Sequence, residues 1–167
     1  MKKTLIAAGL TALMSTTAMA EGIGVSMARF DDNFLTVLRN GIQAQADAAG
    51  LSVQIEDAQD DVAKQLDQIN NFIASGVSAI VVNPVDTSAT QAMSDAAAAA
   101  NVPLVYVNRQ PINIDTLPDN QAFVASNEVD SGTLETIQLC DNWAAEGKTE
   151  VNVYVMQGQL SNQAAVQ

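Results

Sequence analysis

The segment Ala79-Ile80-Val81-Val82-Asn83-Pro84-Val85-Asp86 decides which fold this sequence favours. Its first four residues are apolar without alternation, which is typical of a strand buried on both faces. Such strands occur in parallel sheets that are covered by helices on each side. The segment therefore predicts an α/β fold, with a polar loop that begins at Asn83.

Strand and helix patterns alternate along the chain on both sides of this segment. The first four predicted strands start about 24 to 28 residues apart, the length of one strand, one helix and two short loops. Right-handed crossovers between parallel strands are then expected. The predicted strands span residues 23–27, 51–55, 79–82, 103–107, 123–125 and 151–156, and the predicted helices span residues 34–49, 62–76, 87–100 and 132–145.

Two segments interrupt this alternation. Residues 109–120 form a polar, proline-containing stretch that is longer than a usual connection, and residues 126–130 follow a very short predicted strand. The second of these indicates a crossing between two lobes. We therefore expect a first lobe over residues 21–126 and the start of an incomplete second lobe over residues 127–167.

The composition excludes several kinds of function. The 167 residues are 48% hydrophobic and 16% charged, which is typical of a globular protein, and they include no His and one Cys. Without His, neither a Ser-His-Asp triad nor an HExxH metal site can form. The net charge of −12 argues against a nucleic-acid partner, because phosphates are neutralised by Lys and Arg. Cys140 shares an apolar spacing with Ile137 and Trp143, so we expect it to pack in the core.

The N-terminus has the pattern of a secretory signal peptide. Lys2 and Lys3 precede an apolar stretch at residues 5–14, and Ala18-Met19-Ala20 is a small-residue cleavage motif. Residues 1–20 are therefore predicted to direct export. Because Glu21 follows the motif where a lipid-accepting Cys would stand, we expect a soluble product.

Polar side chains follow the predicted strands at their carboxyl ends, where open α/β sheets bind ligands. A carboxylate accepts hydrogen bonds, a guanidinium donates them, an amide does both and an aromatic ring offers an apolar face, a mixture that suits a neutral polyhydroxylated ligand. The absence of GxxxxGK[ST] argues against a nucleotide, and we predict no metal or cofactor. The candidate ligand-binding residues are Asp32, Phe34, Asn83, Asn108, Arg109 and Asn162.

Most of these residues also have a simpler structural interpretation. Asp32 could cap a helix, Phe34 could belong to the core, and Asn83 could close a turn before Pro84. For Arg109 we favour a functional role, because it is one of few basic residues in the chain and directly follows a strand that is predicted to be buried. Three further acidic residues are better explained as helix caps, namely Asp60, Asp61 and Asp86.

Five motifs in order resemble the periplasmic sugar-binding proteins of ABC importers, the ribose, galactose and inositol-rhizopine class of type I binding proteins. The resemblance covers the chain beyond its predicted signal peptide, and the run at residues 26–35 is most similar to the inositol and rhizopine branch. It implies a receptor, not an enzyme, that captures a sugar or cyclitol in the periplasm and delivers it to an inner-membrane permease. We expect this receptor to be a monomer. The motifs are Phe30–Phe34, Asn83–Asp86, Val102–Arg109, Ala125–Asn127 and Met156–Gly158.

By this resemblance, Asp32 and Asn83 correspond to positions that hydrogen-bond sugar hydroxyls, and Phe34 to a ring that stacks on the sugar. Asn108-Arg109 corresponds to a pair that grips the ligand from the first lobe, and Asn162 to a polar ligand-facing position on the second lobe. Residues 146–150 lack the acidic calcium loop of galactose-binding members, so calcium is not expected.

Members of the class are roughly twice as long, so we expect a truncated sequence. A chemotaxis receptor and a transcription regulator of the same fold are the alternatives, and the second would need a basic DNA-binding face. A secreted α/β enzyme would need a motif such as GxSxG, which the sequence lacks.

Overall fold

The computed structural model describes residues 22–162. The predicted signal peptide lies outside these residues. No helix within them is both long enough and apolar enough to cross a membrane. The strands are β1 (Gly22–Met27), β2 (Ser52–Asp57), β3 (Ala79–Val82), β4 (Leu104–Val107) and β5 (Gln121–Val124), and the helices are α1 (Asn33–Ala49), α2 (Val62–Ser75), α3 (Thr90–Ala99) and α4 (Glu128–Ala145).

The five strands form one sheet in the order β2-β1-β3-β4-β5, and every neighbouring pair is parallel. This confirms the predicted α/β fold. The chain leaves β1 toward β2 on one side and continues from β3 toward β5 on the other side. The carboxyl ends of β1 and β3 therefore flank the point where the connections diverge, which is where open α/β sheets form a ligand crevice.

Two apolar clusters cover the sheet. One joins α2 and α3 to the sheet through fully buried side chains such as Phe72, Met93 and Tyr106. The other includes Val25, Met27 and Leu35, the last from α1. Gly24 is required for this packing, because a Cβ atom on Gly24 would overlap the ring of Phe72.

Local signals in the sequence explain where the helices begin and end. The carboxylate of Asp61 caps α2 by accepting a hydrogen bond from the backbone N–H of Lys64 at 3.0 Å, and that of Asp86 caps the short 3₁₀-helix Thr87–Ala89. Both capping predictions are confirmed. Helices α1 and α2 end at glycines in the left-handed conformation, Gly50 and Gly76, as the sequence indicates.

Three predictions for the C-terminal part of the chain are wrong. Residues 151–156 form no strand, because no described strand lies beside them to complete their backbone hydrogen bonds. Helix α4 begins at Glu128, four residues earlier than predicted, and none of its residues is buried. Cys140 is exposed rather than in the core, since no described element packs against its face of α4.

Candidate functional site

The loops that follow the strands form a single rim at the carboxyl edge of the sheet. Backbone hydrogen bonds join the end of β1 to the ends of β2 and β3, and the end of β4 to that of β5, while the side chain of Arg109 joins the loops after β3 and β4. The connecting bonds are Asn83 N to Ser26 O at 2.9 Å, Ala58 N to Met27 O at 2.8 Å, Asp60 N to Ala28 O at 2.8 Å and Asn108 N to Val124 O at 3.1 Å.

Asp32 and Phe34 lie together at the start of α1. Asp32 is the N-cap of this helix, and its Oδ1 accepts a hydrogen bond from the N–H of Leu35 at 2.8 Å. The capping interpretation of Asp32 is therefore confirmed, and its partly exposed carboxylate still lies on the rim. Phe34 is 61% exposed, so the alternative that it belongs to the core is wrong. Its ring is open to solvent at the start of α1.

Asn83 is fully buried beneath the rim. Its Oδ1 accepts a hydrogen bond from the N–H of Ala28 at 3.4 Å, and its Nδ2 donates to the carbonyl of Val107 at 3.3 Å. Both ends of the amide therefore bond to backbone, and Asn83 links the ends of β1, β3 and β4. Its contact with a ligand stays a prediction.

Arg109 lies on the rim and is held by the loop after β3. Its Nη1 donates hydrogen bonds to the carbonyl oxygens of Pro84 and Val85, both at 2.9 Å. Burial and then the positive charge of Arg29 lower the pKa of Arg109 below its usual value, while the carboxylates of Asp60 and Asp32 raise it. An arginine remains charged under these conditions. The charges of Arg29, Asp60 and Asp32 thus all act on Arg109.

Asn108 connects β4 to Arg109 in the left-handed conformation, with φ of 65°. Asn tolerates this conformation better than most residues with a side chain. Its side chain is partly exposed on the rim, as the site prediction requires.

Asn162 is the last described residue, and the segment before it touches the rim. The N–H and the hydroxyl of Thr87 both donate to the carbonyl of Ser161, at 3.0 and 3.2 Å. The N–H of Asn162 itself donates to the carbonyl of Gln159 at 3.0 Å. Beside this contact lies an open pocket of about 440 Å³ that is lined by Asp60, Val62, Val85, Asp86, Gln159, Leu160 and Ser161.

Sequence reasoning missed two buried glutamines of α2 that bond to the strands of the sheet. Gln65 and Gln68 on α2 are almost completely buried and both bond to the hydroxyl of Ser26 on β1. Gln68 also donates to the carbonyl of Asp57 at the end of β2, at 2.9 Å. The sequence did contain a signal for their burial. Both lie at helical spacing from the apolar residues of α2, where a polar side chain must find a partner inside the protein.

Sequence reasoning also missed a pair of contacts in the loop after β1. Arg29 and Asp60 form an ion pair at 3.0 Å, so Asp60 is not a helix cap as predicted. Gln59 and Asp60 are both in the left-handed conformation, and their N–H groups donate to Asp57 Oδ1 and to the carbonyl of Ala28, both at 2.8 Å. The guanidinium of Arg39 stacks on the ring of Phe30, 4.0 Å from its centroid. An adjoining cavity of about 500 Å³ is lined by Arg29, Phe30, Asp31, Asp57, Gln59 and Asp60.

The rim offers hydrogen-bonding groups rather than reactive ones. In the part of the chain that the structure describes, no group of three or more His, Cys, Asp or Glu side chains is placed to hold a metal ion. What the rim does present is a guanidinium, a carboxylate, an amide and an exposed aromatic ring. Such a set can bind and orient a hydroxyl-rich molecule.

Comparison with known proteins identifies the class to which this fold and site belong. Residues 23–167 match the profile of the periplasmic binding protein domain, so the chain is a member of that family. A putative rhizopine-binding protein of Rhizobium meliloti is 59% identical over 166 residues, which cover 99% of this chain and 52% of the relative. A ribose import binding protein of Escherichia coli K12 is 28% identical over 169 residues, covering 99% of this chain and 54% of the relative.

Solved structures give the same result. An ABC transporter solute-binding protein from Bacillus halodurans, with bound myo-inositol, is 30% identical and superposes with a TM-score of 0.73 over 90% of this chain and 50% of that chain. A galactofuranose-binding protein shares the fold at 21% identity, with a TM-score of 0.77 over 87% of this chain and 48% of that chain. The chain therefore spans about half the length of the relatives it matches. These relatives are described as binding proteins, as the sequence predicts for this chain.

Proposed function

We propose that this chain supplies one lobe of a periplasmic solute receptor that captures a cyclitol or sugar for an ABC importer. The observation that carries the proposal is the anchored Arg109, which lies on the same rim as Asp32 and Phe34. The two most informative similarities support a cyclitol, since one relative is described as rhizopine-binding and one solved structure contains myo-inositol.

Each rim group has a distinct task in this proposal. The Nη1 hydrogens of Arg109 are used by two carbonyls, which fixes the plane of the guanidinium, and its remaining N–H groups donate to ligand hydroxyls. The carboxylate of Asp32 and the amide of Asn108 accept from other hydroxyls. Phe34 covers the C–H face of the ring. Asn83 joins the strand ends below them.

The finer parts of this proposal concern the second lobe and the partners. Residues 21–126 would form the first lobe and residues 127–167 would begin the second, with Asn162 facing the ligand from that side. Ligand contacts from both lobes would stabilise a closed state, which the permease then recognises. Export to the periplasm by residues 1–20 and a monomeric state belong to the same proposal.

A ligand panel tests the proposed function. The product of the whole reading frame is titrated with inositols, pentoses and hexoses while its melting temperature is followed. A ligand at one hundred times its Kd should stabilise the protein by about 2.7 kcal/mol. The stabilisation should disappear in Arg109→Ala and weaken in Phe34→Ala. A shift with amino acids or nucleotides, and none with any polyol, would contradict the proposed ligand class.

A further inference from the structure

We infer that Gln65 is the positioning residue of the ligand-binding site, and that it acts on the ligand through Arg109. This inference rests on the proposed function of Arg109. Gln65 lies on α2, away from the rim surface, and it is fully buried. It touches no exposed rim group, so any effect on a ligand has to pass through the backbone that it holds.

The contacts of Gln65 bracket the segment that anchors Arg109. Its Nε2 donates to the carbonyl of Asn83 at 3.0 Å, and its Oε1 accepts from the N–H of Val85 at 2.8 Å. Between these two atoms lies Pro84, which has no N–H of its own. Gln65 therefore supplies the side-chain bonds that fix this segment, and the carbonyls of Pro84 and Val85 in turn receive Nη1 of Arg109.

The orientation of the Gln65 amide is determined by its partners. The carbonyl of Asn83 can only accept and the N–H of Val85 can only donate, so the amide fits in one orientation. The hydroxyl of Ser26 reinforces it, because Ser26 donates to Gln68 at 2.7 Å and accepts from Gln65 at 3.1 Å. Satisfied buried networks of this kind keep a single geometry, since an unpaired buried group is costly.

Gln68 provides a matched control on the same helix. It is buried to almost the same degree and bonds to the same Ser26 hydroxyl. Its second bond goes to the carbonyl of Asp57 after β2 instead of the segment after β3. Replacing either glutamine with Met removes the amide while keeping the length of the side chain. Only the change at Gln65 removes the hydrogen bonds that hold the backbone at Pro84 and Val85, to which Arg109 donates.

The experiment combines affinity with a double-mutant cycle in the product of the whole reading frame. Gln65→Met should raise the Kd for the polyol found in the panel by about ten- to hundredfold, as losses of supporting hydrogen bonds do at other sites. Gln68→Met should leave the Kd within about twofold while lowering the melting temperature similarly. In a protein that already carries Arg109→Lys, Gln65→Met should change the Kd little further. An unchanged Kd in Gln65→Met, or an equal loss in both backgrounds, would overturn the inference.

A ligand-free measurement keeps the inference separate from the proposed function. Rotation of the Arg109 guanidinium, followed by nitrogen-15 NMR, should be slow in the wild type and in Gln68→Met and faster in Gln65→Met. Equal rotation in all three would overturn the inference even if the receptor binds a polyol. If no polyol binds but the rotation differs as expected, the proposed function fails and the anchoring role stands. Should Gln65→Met not fold, Gln65→Glu, which keeps an acceptor for Val85, takes its place.

Discussion

The sheet region (residues 22–124) and the C-terminal segment (residues 128–162) differ in how their structure is maintained. In the sheet region, residues such as Val25, Ile80 and Leu104 have no exposed surface. In the C-terminal segment, α4 is a regular helix without a buried residue, and Leu134 is 67% exposed. A helix completes its hydrogen bonds internally, whereas a strand needs a neighbour. This explains why α4 is formed and residues 151–156 are not a strand.

The largest expected difference between the two regions is the cost of removing an apolar side chain. Phe72→Ala should lower the free energy of unfolding by about 3–5 kcal/mol, because it leaves a cavity between α2 and the sheet. In a protein made of residues 1–167, Leu134→Ala, on the exposed face of α4, should change it by less than about 0.5 kcal/mol. Urea unfolding of both variants measures this. A large loss in Leu134→Ala would mean that α4 is packed in solution.

The next expected effect is a pH dependence of stability that comes from Tyr106. Burial raises the pKa of Tyr106 to about 12, while its hydroxyl donates to the carbonyl of Thr90 at 2.7 Å. Since the unfolded state loses this proton near the ordinary pKa of 10, stability is complete below pH 10 and falls as the pH rises toward 12. The loss should reach about 2–3 kcal/mol.

Two phenylalanine variants isolate this dependence. Tyr106→Phe should remove the loss between pH 10 and 12, and at pH 7 it should cost about 1–2 kcal/mol because the carbonyl of Thr90 loses a buried partner. Tyr154 is 94% exposed in the C-terminal segment. Tyr154→Phe should therefore change neither the loss of stability between pH 10 and 12 nor the free energy of unfolding at pH 7. An identical pH profile in all three proteins would contradict the burial of Tyr106.

Removing the N-cap of α1 and removing the N-cap of α4 should differ less in their effect on the free energy of unfolding. Asp32→Ala removes the cap of α1 and should lower the free energy of unfolding by about 1 kcal/mol. Asn127 caps α4 through hydrogen bonds from Val129 and Asp130. Asn127→Ala should therefore fray α4, seen as faster amide exchange there, without shifting the unfolding of the sheet. Equal shifts in urea unfolding would show that the two regions unfold together.

The smallest expected effect concerns Cys140. Because its thiol is exposed on α4, Cys140→Ser should change the free energy of unfolding by less than about 0.5 kcal/mol. A thiol reagent should label Cys140 in the folded protein as fast as in urea. Slow labelling in the folded protein would place Cys140 in a packed interface and weaken the contrast between the two regions.

The candidate site shows where prediction from the sequence stopped. Arg109, Asn108, Asp32 and Phe34 were correctly placed at the carboxyl edge, because the end of a strand is a local property of the chain. The burial of Asn83 could not be predicted, since its partners Ala28 and Val107 are 55 and 24 residues away. The supporting role of Gln65 depends in the same way on Val85, 20 residues further along the chain.

The sequence by itself determined the alternation of strands and helices, the caps Asp32 and Asp61, and the glycines that end α1 and α2. These features depend on hydrogen bonds between residues three to five positions apart, so they are written in short stretches of chain. Only the tertiary structure decided the strand order, the anchoring of Arg109 and the absence of a strand at residues 151–156. Each of these depends on which distant segments meet, because buried polar groups and strand edges take whichever partners the whole fold brings to them.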